Sequence, residues 1–514
     1  MGSAGLHAQF PANLTSLSLE EIHGIFPRLK APFALAEEAG GRWVALTDPF
    51  GLKPLFFARA NGAWAVAETT DDISQLLPGS DLQLNESSVV GHISGPYSPR
   101  REDTFFSDIS AVPPGSMVQL GPNGVTTTRL WDPSAIPIDR TLTLAEAASE
   151  LRRLIQEVAS DYVAEGPGAV TVSSGMDSTS VIAGLVEAGA DVSGITWASA
   201  EIPEADESHW ARLTCEKLGV PLLELQIDAS TLLPDEGIVT RPSSPFINMF
   251  DQVWRATSAE MAKQGRQTMY TGLSGDHLFG GWVSPVADSL VTLRLLQTSK
   301  YLSRRRLHHP SLLRTLRAEI LSPLLRQALP RVWARRQQPV PWLHDDYHDL
   351  WRERQAETVG RGLLPGRGER VYRLDDGLIS QLSADLDHSS EAEGINIRHP
   401  LLDRRLVEFA ISLPTELLND GTTDKLVLRE AMSGVLPDEV VELDNILPGA
   451  IAQKAMRARA DRLLALTKDM RSADLGFVYE PALAKNVAGF MRGDHDNMDF
   501  WNTLTLEDWL RRWW

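Results

Sequence analysis

A strand, a loop of small residues and a helix follow one another without interruption near residue 170. Residues 168–172 (GAVTV) are small or apolar, the next residues are hydroxylated or glycine, and an amphipathic helix follows. Backbone N–H groups at a helix start, with serine and threonine hydroxyls, form a nest where a phosphate chain sits close to the backbone. The loop therefore predicts a phosphate-binding site made by Ser173, Ser174, Gly175, Met176, Asp177, Ser178 and Thr179.

One residue of this loop, Asp177, limits which type of phosphate-binding site the loop can form. A carboxylate repels a phosphate unless a cation such as Mg²⁺ lies between them. No lysine follows the loop, which excludes the GxxxxGK[ST] type of nucleotide loop. Without a ligand the same residues form a helix start capped by serine and aspartate, so this loop alone leaves both interpretations open.

A second segment, residues 267–282, again runs from a strand into a glycine-rich turn with an acidic residue, Asp276. Loops at the carboxyl ends of neighbouring parallel strands meet over one crevice, so we expect Asp276 to face Asp177 across a shared metal ion. Together the two loops predict a nucleotide site with Mg²⁺ on these carboxylates, to which the turn contributes Gly272, Ser274 and Gly275.

The chain changes character near residue 135. Before it, short apolar runs are separated by turn residues such as Asn61-Gly62 and Pro122-Asn123-Gly124, a pattern typical of strands and tight turns. From residue 141 to about 280, strands and helices alternate, which indicates a parallel sheet. We therefore predict an α/β protein with a β-rich domain at 1–132 and an α/β domain at 133–514.

Charge is unevenly distributed along the 514 residues. The net charge of −19 argues against nucleic acid as a partner. Residues 301–337, however, hold nine arginines and one glutamate, a local balance of +8 that leaves −27 on the remainder. Leucine and arginine alternate there at helical spacing, which predicts two or three short amphipathic helices. They form either a solvated basic face or a docking surface for an acidic partner or an anionic membrane.

The single cysteine, Cys215, cannot form an intramolecular disulfide, and no apolar stretch is long enough for a transmembrane segment. The first thirty residues also lack the pattern of a signal peptide. These features predict a cytoplasmic protein.

The first loop resembles the pyrophosphate-binding loop of the ATP pyrophosphatases, S-G-G-x-D-S-[ST], with Ser174 in place of the second residue, glycine. Further motifs resemble the asparagine synthetase superfamily over most of the chain. They are DPFGLKPLF at 48–56, DTFF at 103–106 with PPG at 113–115, GINIRHPLLD at 394–403, RRLVEF at 404–409 and DKLVLREAM at 424–432.

This resemblance implies an N-terminal Ntn-hydrolase-like domain, truncated and inactive, and an ATP-pyrophosphatase-type synthetase domain. It implies an enzyme that adenylates a carboxylate with ATP and Mg²⁺, releases pyrophosphate and joins the acyl group to an amine. The first loop would hold the pyrophosphate and the two aspartates Mg²⁺. Arg398 and Lys425 would lie near the phosphate or substrate crevice, although for both residues ion pairs, such as Arg398 with Asp403, are the structural alternative.

Glutamine-dependent members of the superfamily use an N-terminal cysteine nucleophile, whereas this sequence begins Met1-Gly2-Ser3. We therefore expect no glutaminase activity and a ring closure in which the substrate supplies the amine. Two subfamilies do this, the β-lactam synthetases and the macrolactam cyclases that make lasso peptides.

Three positions depart from the β-lactam synthetase pattern, namely Leu273, Asn396 and Asn445, so the lasso cyclase is favoured. The resemblance then implies a linear precursor core peptide as substrate, and a leader peptidase and a leader-recognition protein as partners. Candidate general bases are His277, Glu391, Glu393 and His399, each of which has a structural alternative. A β-lactam synthetase and a catalytically degenerate scaffold that binds a peptide or partner remain the alternative functions.

Overall fold

The computed structural model describes most of the chain from residue 13 to residue 514. The residues left undescribed within that range are 61, 77–81, 96–100, 202, 204–205, 229–231, 234–242, 247, 281–284, 309–310, 358–363, 376 and 444–448. Asn445, one of the three departures named above, falls among them.

The N-terminal region forms two antiparallel sheets, as the alternating runs predict. One sheet has the order β1-β2-β6-β7 and the other β4-β3-β5. The strands are β1 Ala34–Ala39, β2 Arg42–Thr47, β3 Phe56–Ala60, β4 Ala63–Ala67, β5 Ser110–Ala111, β6 Ser116–Gly121 and β7 Gly124–Arg129.

The DPFGLKPLF motif forms the turn between β2 and β3. The fully buried carboxylate of Asp48 accepts backbone N–H groups, with Oδ1 2.9 Å from the nitrogen of Phe50 and 3.3 Å from that of Leu52. Burial raises the pKa of Asp48 to about 6, and these hydrogen bonds oppose the rise. This aspartate therefore stabilises a loop.

The rest of the chain contains a five-stranded parallel sheet. Together with the helices and the antiparallel sheets, this sheet confirms the mixed α/β class. Its order is β10-β9-β8-β11-β12, and each pairing is parallel. The chain reverses its direction of winding between β8 and β11, which is where open parallel sheets bind ligands. The strands are β8 Gly168–Thr171, β9 Val192–Ala198, β10 Leu222–Gln226, β11 Thr268–Tyr270 and β12 Asn396–Arg398.

Helices supply the rest of the regular structure. In chain order they are α1 Leu19–Ile25, α2 Thr70–Gln75, α3 Glu86–Ile93, α4 Leu144–Ser160, α5 Met176–Glu187, α6 Ser208–Leu218, α7 Asp251–Lys263, α8 Gly275–Phe279, α9 Pro285–Val291, α10 Leu295–His308, α11 Leu312–Leu316, α12 Ser322–Ala328, α13 Pro330–Arg335, α14 His348–Glu357, α15 Pro365–Asp375, α16 Leu378–Glu391, α17 Arg404–Ser412, α18 Leu426–Met432, α19 Asp438–Glu442, α20 Gly449–Ala458, α21 Ala460–Ala465, α22 Arg471–Asp474, α23 Glu480–Arg492 and α24 Trp501–Trp513.

The arginine-rich segment is helical, as its periodicity predicts, but it is divided more finely. It contains the end of α10, then α11, a π-helical turn at Arg317–Leu321, α12 and α13. Pro323 lies in the first turn of α12, and Pro330 begins α13. Proline is tolerated at such positions because the first helical N–H groups have no partner within the helix.

The apolar core crosses the predicted boundary at residue 132. One buried cluster combines residues such as Phe50 and Trp131 with the helices around the parallel sheet. Polar contacts also cross it, since Trp131 donates its indole N–H to Glu408 at 3.0 Å and Lys53 pairs with Asp387 at 2.6 Å. The division into two domains therefore stays a prediction. Among the described residues, the helices include none with the length and apolarity that a membrane crossing needs.

Buried His92 joins the N-terminal region to the C-terminal helix. Its Nε2 lies 3.0 Å from Thr505 Oγ1 in α24, and burial lowers the pKa of His92 to about 3. The unfolded histidine has a pKa of about 6.5. The stability that the neutral ring contributes is thus complete above pH 6.5 and is lost as the pH falls below it.

We expect His92→Gln to flatten the acid side of the stability profile. Between pH 7.5 and pH 5 the free energy of unfolding should fall by about 2 kcal/mol less than in the parent. Denaturant unfolding at both pH values measures this difference. Exposed His23 provides the matched control, since His23→Gln should keep the parental slope. An unchanged slope in His92→Gln would contradict the assignment.

Candidate functional site

The two predicted loops meet at the switch point of the parallel sheet. Strands β8 and β11 are direct neighbours, with Val170 opposite Tyr270. The turn after β11 lies so close to the start of α5 that a Cβ on Gly275 would be 2.0 Å from Cγ of Asp177. A Cβ on Gly272 would be 2.7 Å from the backbone nitrogen of Ser178. Glycine is therefore required at both positions by close approach.

Lys425 connects the two aspartates. Its Nζ lies 2.8 Å from Oδ2 of Asp177 and 2.7 Å from Oδ1 of Asp276. The lysine side chain is 2% exposed, that of Asp177 is 14% exposed and that of Asp276 is 54% exposed. The cluster therefore runs from the protein interior to the solvent side, with its most accessible carboxylate on the turn after β11.

Two residues of this site adopt a left-handed backbone. Ser274 has φ 71° and Lys425 has φ 58°, a conformation that is costly for residues other than glycine. Each residue immediately precedes a helix, α8 and α18 respectively. Gly280 leaves room for Lys425, because a Cβ there would lie 2.6 Å from Cγ of the lysine.

The electrostatics of the cluster follow from burial. Desolvation raises the pKa of Asp177 to about 6, Asp276 reinforces the rise and Lys425 opposes it. Burial disfavours the charge on Lys425, but the two carboxylates outweigh it and raise the pKa of the lysine. One cation is therefore held between two carboxylates in a site of low polarity.

The residues present fit a magnesium ion. Oδ1 of Asp177 is buried and has no hydrogen-bond partner among the described residues, so a free acceptor remains in the cluster. The described part of the chain holds no group of three or more acidic, histidine or cysteine side chains suited to a metal. Mg²⁺ commonly takes one or two carboxylates and completes its shell with phosphates and water, which is what this pair offers.

The first loop is organised as a cradle of small groups. Hydroxyls of Ser173 and Ser178 lie 2.9 Å apart, and the backbone N–H of Gly175 donates to Ser173 Oγ at 3.1 Å. Thr179 donates its hydroxyl to the carbonyl of Gly175 at 2.9 Å. Helix α5 begins at Met176, so its first N–H groups face the space above this loop.

Sequence reasoning missed Glu207, which explains the departure at Ser174. The Ser174 hydroxyl and backbone N–H both donate to the Glu207 carboxylate, which immediately precedes α6. Burial raises the pKa of Glu207 while the contacts with Ser174 oppose the rise. The added hydroxyl thus binds a second acidic side chain beside the phosphate loop, 33 residues away in sequence.

Two charged residues that the sequence analysis missed, Arg373 and Glu369, act on His277. Burial lowers the pKa of His277 to about 4, and the positive charge of Arg373 acts in the same direction. Arg373 and Arg326 both pair with Glu369, at 3.0 Å and 2.5 Å. His277 is therefore a neutral imidazole near neutral pH, directly beside Asp276 in sequence.

Arg398 is not brought to the aspartates by any contact of the described residues. Its Nε lies 3.0 Å from Oε1 of Glu165. The structural alternative, an ion pair, is therefore present, but the suggested partner Asp403 is wrong, because Asp403 caps α17 and binds Arg405 at 2.8 Å. Arg398 is the last residue of β12, and its partner is decided by which side chains pack beside it in the fold. That partner, Glu165, lies just before β8 in the sequence.

The remaining candidate bases lie in different environments. His399 is buried between Thr271 and Ser383, with its Nδ1 2.7 Å from Thr271 Oγ1, and burial lowers its pKa to about 3. Glu391 and Glu393 are exposed at the end of α16 and beyond it. These positions favour the structural alternative for all three residues.

Two of the three positions that depart from the β-lactam synthetase pattern are described by the structure. Neither belongs to the cluster of Asp177, Asp276 and Lys425. Asn396 is exposed and begins β12, level with Thr268 and hence at the amino-terminal edge of the sheet. Leu273 packs partly buried against the core.

We expect Gly275→Ala to abolish activity at this site while the chain still folds. The new methyl group would displace the Asp177 carboxylate, because its Cβ position overlaps Cγ of that residue. Nucleotide-dependent activity should fall at least about a hundredfold, since misplacement by about 1 Å costs that much. Gly24→Ala, in open space on α1, is the control that should retain parental activity. Retained activity in Gly275→Ala would contradict the site.

Comparison with known proteins identifies the family of this chain. The asparagine synthase family model matches residues 150–511. Asparagine synthetase [glutamine-hydrolyzing] 3 of Bacillus subtilis (strain 168) is 20% identical over 451 residues, which are 82% of this chain and 66% of that protein. Asparagine synthetase [glutamine-hydrolyzing] 1 of the same organism is 20% identical over 412 residues, or 77% and 63%. The chain thus spans slightly less than two thirds of these relatives, and it belongs to the asparagine synthase family.

Proposed function

We propose that this protein is an ATP-dependent lasso-peptide cyclase. It adenylates an aspartate or glutamate side chain of a linear core peptide and joins it to the N-terminal amine of that peptide, releasing pyrophosphate and AMP. The observation that carries the ATP-dependent ligase part is the cluster of Asp177, Asp276 and Lys425 above the phosphate cradle. Ring closure, in which the substrate supplies its own amine, is supported by the low reactivity of the sole cysteine.

That cysteine, Cys215, lies buried on α6, and desolvation raises its pKa to about 12. A thiol of this kind is almost wholly protonated at neutral pH and is inert as a nucleophile. Glutamine hydrolysis by a cysteine of this sequence is therefore unsupported, and the amine is assigned to the substrate itself.

In the first step a substrate carboxylate oxygen bonds to the α-phosphorus of ATP, and the bond from that phosphorus to pyrophosphate breaks. Mg²⁺ held by Asp177 and Asp276 would neutralise phosphate charge. The loop of Ser173 to Thr179 binds the departing pyrophosphate through N–H and hydroxyl groups. Lys425 pairs with both aspartates and orients them, and its charge favours the ionised form of Asp177.

In the second step the neutral amine attacks the acyl carbon, AMP leaves and the amine loses one proton. His277 is the candidate acceptor, because its buried imidazole is neutral and lies next to Asp276. A peptide N-terminal amine has a reference pKa of about 7.7 to 8.0, so a large neutral fraction is already present. The reaction therefore depends mainly on activation and on holding the two ends together.

The test is incubation of the protein with Mg-ATP and candidate linear core peptides, followed by mass spectrometry of the peptide and measurement of AMP. Loss of one water from the peptide, with one AMP formed per ring, is the expected result. AMP formation with a small β-amino acid and indifference to peptides would replace the cyclase by a β-lactam synthetase. Peptide binding without pyrophosphate exchange would replace it by a scaffold.

A leader peptidase and a leader-recognition protein are proposed partners of this reaction. Both follow from the cyclase assignment, since a precursor must be delivered and its amine released before the ring closes. Addition of both proteins together should raise the rate of ring formation from the full precursor and leave the rate with the free core peptide unchanged.

A further inference from the structure

The outer side of the arginine-rich helices is exposed and apolar as well as basic. Among the described residues, eight of fourteen exposed large apolar side chains lie between positions 291 and 332. Leu296 is 90% exposed, Leu293 80% and Leu313 79%. The eight are Val291, Leu293, Leu295, Leu296, Leu313, Leu321, Leu329 and Val332. Such a concentration on one segment marks an interaction surface.

The arginines between positions 291 and 336 whose side chains the structure describes divide into two sets. Arg294, Arg304 and Arg326 face the protein and pair with Glu416, Asp420 and Glu369. The second set is exposed and has no ion-pair partner within the part of the chain that the structure describes. It consists of Arg314, Arg317, Arg331, Arg335 and Arg336. Some arginines therefore fix the segment to the protein, and the others remain available to a partner.

Leucine and arginine alternate along the same side of these helices. The helical path is continuous from α11 through the π turn into α12, and Leu313, Arg317 and Leu321 recur at intervals of four. Residues at this spacing share one side of a helix. Glu319 is the one acidic residue between 291 and 337, so the sign of the charge is nearly uniform.

We propose that this surface, formed by described residues of 291–304 and 311–336, docks the protein on an anionic phospholipid membrane. Interfacial binding needs aliphatic side chains that insert among the headgroups, and cationic side chains that contact the lipid phosphates. Arginine supplies the charge while its stem lies along the apolar layer. The proposal is independent of the cyclase assignment.

Shape and charge favour a lipid over an acidic protein. Leucines exposed to 79–90% protrude, and a fluid interface accommodates protruding side chains without the complementary pockets that protein hot spots require. The residues outside 301–337 carry −27, which an anionic surface repels. The arginine-rich surface is therefore the side presented to the lipid, and binding takes one orientation.

The test is sedimentation of the intact protein with vesicles of phosphatidylcholine, alone or with about one third phosphatidylglycerol. We expect binding to the anionic vesicles, and weaker binding when salt is raised from about 0.1 M to about 0.5 M. The variant R314E/R317E/R331E/R335E should reduce the partition coefficient at least about a hundredfold. The variant L293S/L296S/L313S should reduce it at least about tenfold.

The matched control is R28E/R42E/K468E/K485E, which makes the same change in net charge at exposed residues elsewhere. Its binding should stay within about threefold of the parent, since charges beyond a Debye length are screened. Circular dichroism of each variant checks folding. Equal binding by the control and the arginine variant, or no binding of the parent to anionic vesicles, would overturn the proposal. Binding to polyglutamate but not to vesicles would replace the lipid by an acidic protein.

Discussion

Replacing either aspartate of the cluster by asparagine is expected to lower ATP–pyrophosphate exchange at least about a thousandfold. Asp177→Asn and Asp276→Asn keep the size of the side chain and remove a charge that a phosphate-bound cation needs. Loss of about 4 kcal/mol of electrostatic stabilisation corresponds to such a factor. Exchange isolates the first half of the reaction, so this result does not depend on the identity of the amine.

The same substitutions should leave the protein folded. Burial already disfavours ionised Asp177 and asparagine removes that cost, while Lys425 keeps the other aspartate as its ion-pair partner, so the unfolding midpoint is expected to stay near the parental value. Asp191→Asn is the control, because Asp191 is 67% exposed and makes one weak pair with Arg266 at 3.4 Å. Parental exchange rates in Asp177→Asn or Asp276→Asn would show that the carboxylates are structural.

Of the substitutions at this site, Lys425→Met is expected to lower the free energy of unfolding the most. Methionine preserves much of the volume but removes the cation between Asp177 and Asp276. Breaking a buried ion pair on one side costs about 3–5 kcal/mol, because a charge is left uncompensated. Denaturant unfolding measures the loss, and pyrophosphate exchange should disappear with it.

The pH dependence of this loss identifies its cause. Without Lys425 the pKa of Asp177 lies above its present value of about 6, and well above the unfolded value of about 3.9. A raised folded-state pKa contributes stability at low pH that is lost as the pH rises. The deficit of Lys425→Met should therefore be larger at pH 8 than at pH 5.5.

Two further variants separate charge from packing. Asp177→Asn added to Lys425→Met should recover most of the stability at pH 8 but none of the exchange activity. Lys53→Met removes a half-exposed pair with Asp387 and should cost about 1 kcal/mol or less. If the double variant is no more stable than Lys425→Met, packing around the methionine is responsible and not the uncompensated carboxylate.

Local patterns predicted those parts of the fold that local physics controls. The alternation of strands and helices after residue 141 predicted the parallel sheet, and the small-residue loops predicted where β8 and β11 end. Two residues following neighbouring strands must lie close together, so the meeting of Asp177 with the turn around Gly275 was also predictable. The helical spacing of leucine and arginine likewise predicted that the arginine-rich segment is helical.

Other parts of the site depend on contacts that periodicity does not encode. Glu207 reaches Ser174 across 33 positions, and Glu165 takes Arg398 across 233. Such pairs depend on how loops and helices pack against the sheet. The sequence contains several acidic residues that could pair with each serine or arginine, and no local pattern distinguishes among them. The motif DKLVLREAM predicted Lys425 near the crevice, but neither its position between the two aspartates nor its left-handed backbone before α18 could be read from the motif.

The sequence by itself determined the α/β class, the two loops and the chemical types that meet at them, because hydrophobic period and small-residue turns act over a few residues. Tertiary structure alone decided that Lys425, 248 residues beyond Asp177, bridges the carboxylates. It also decided that Ser174 binds Glu207 and that five arginines of the arginine-rich segment face solvent. These contacts form only when distant segments bury a common core, whose packing selects one pairing among many.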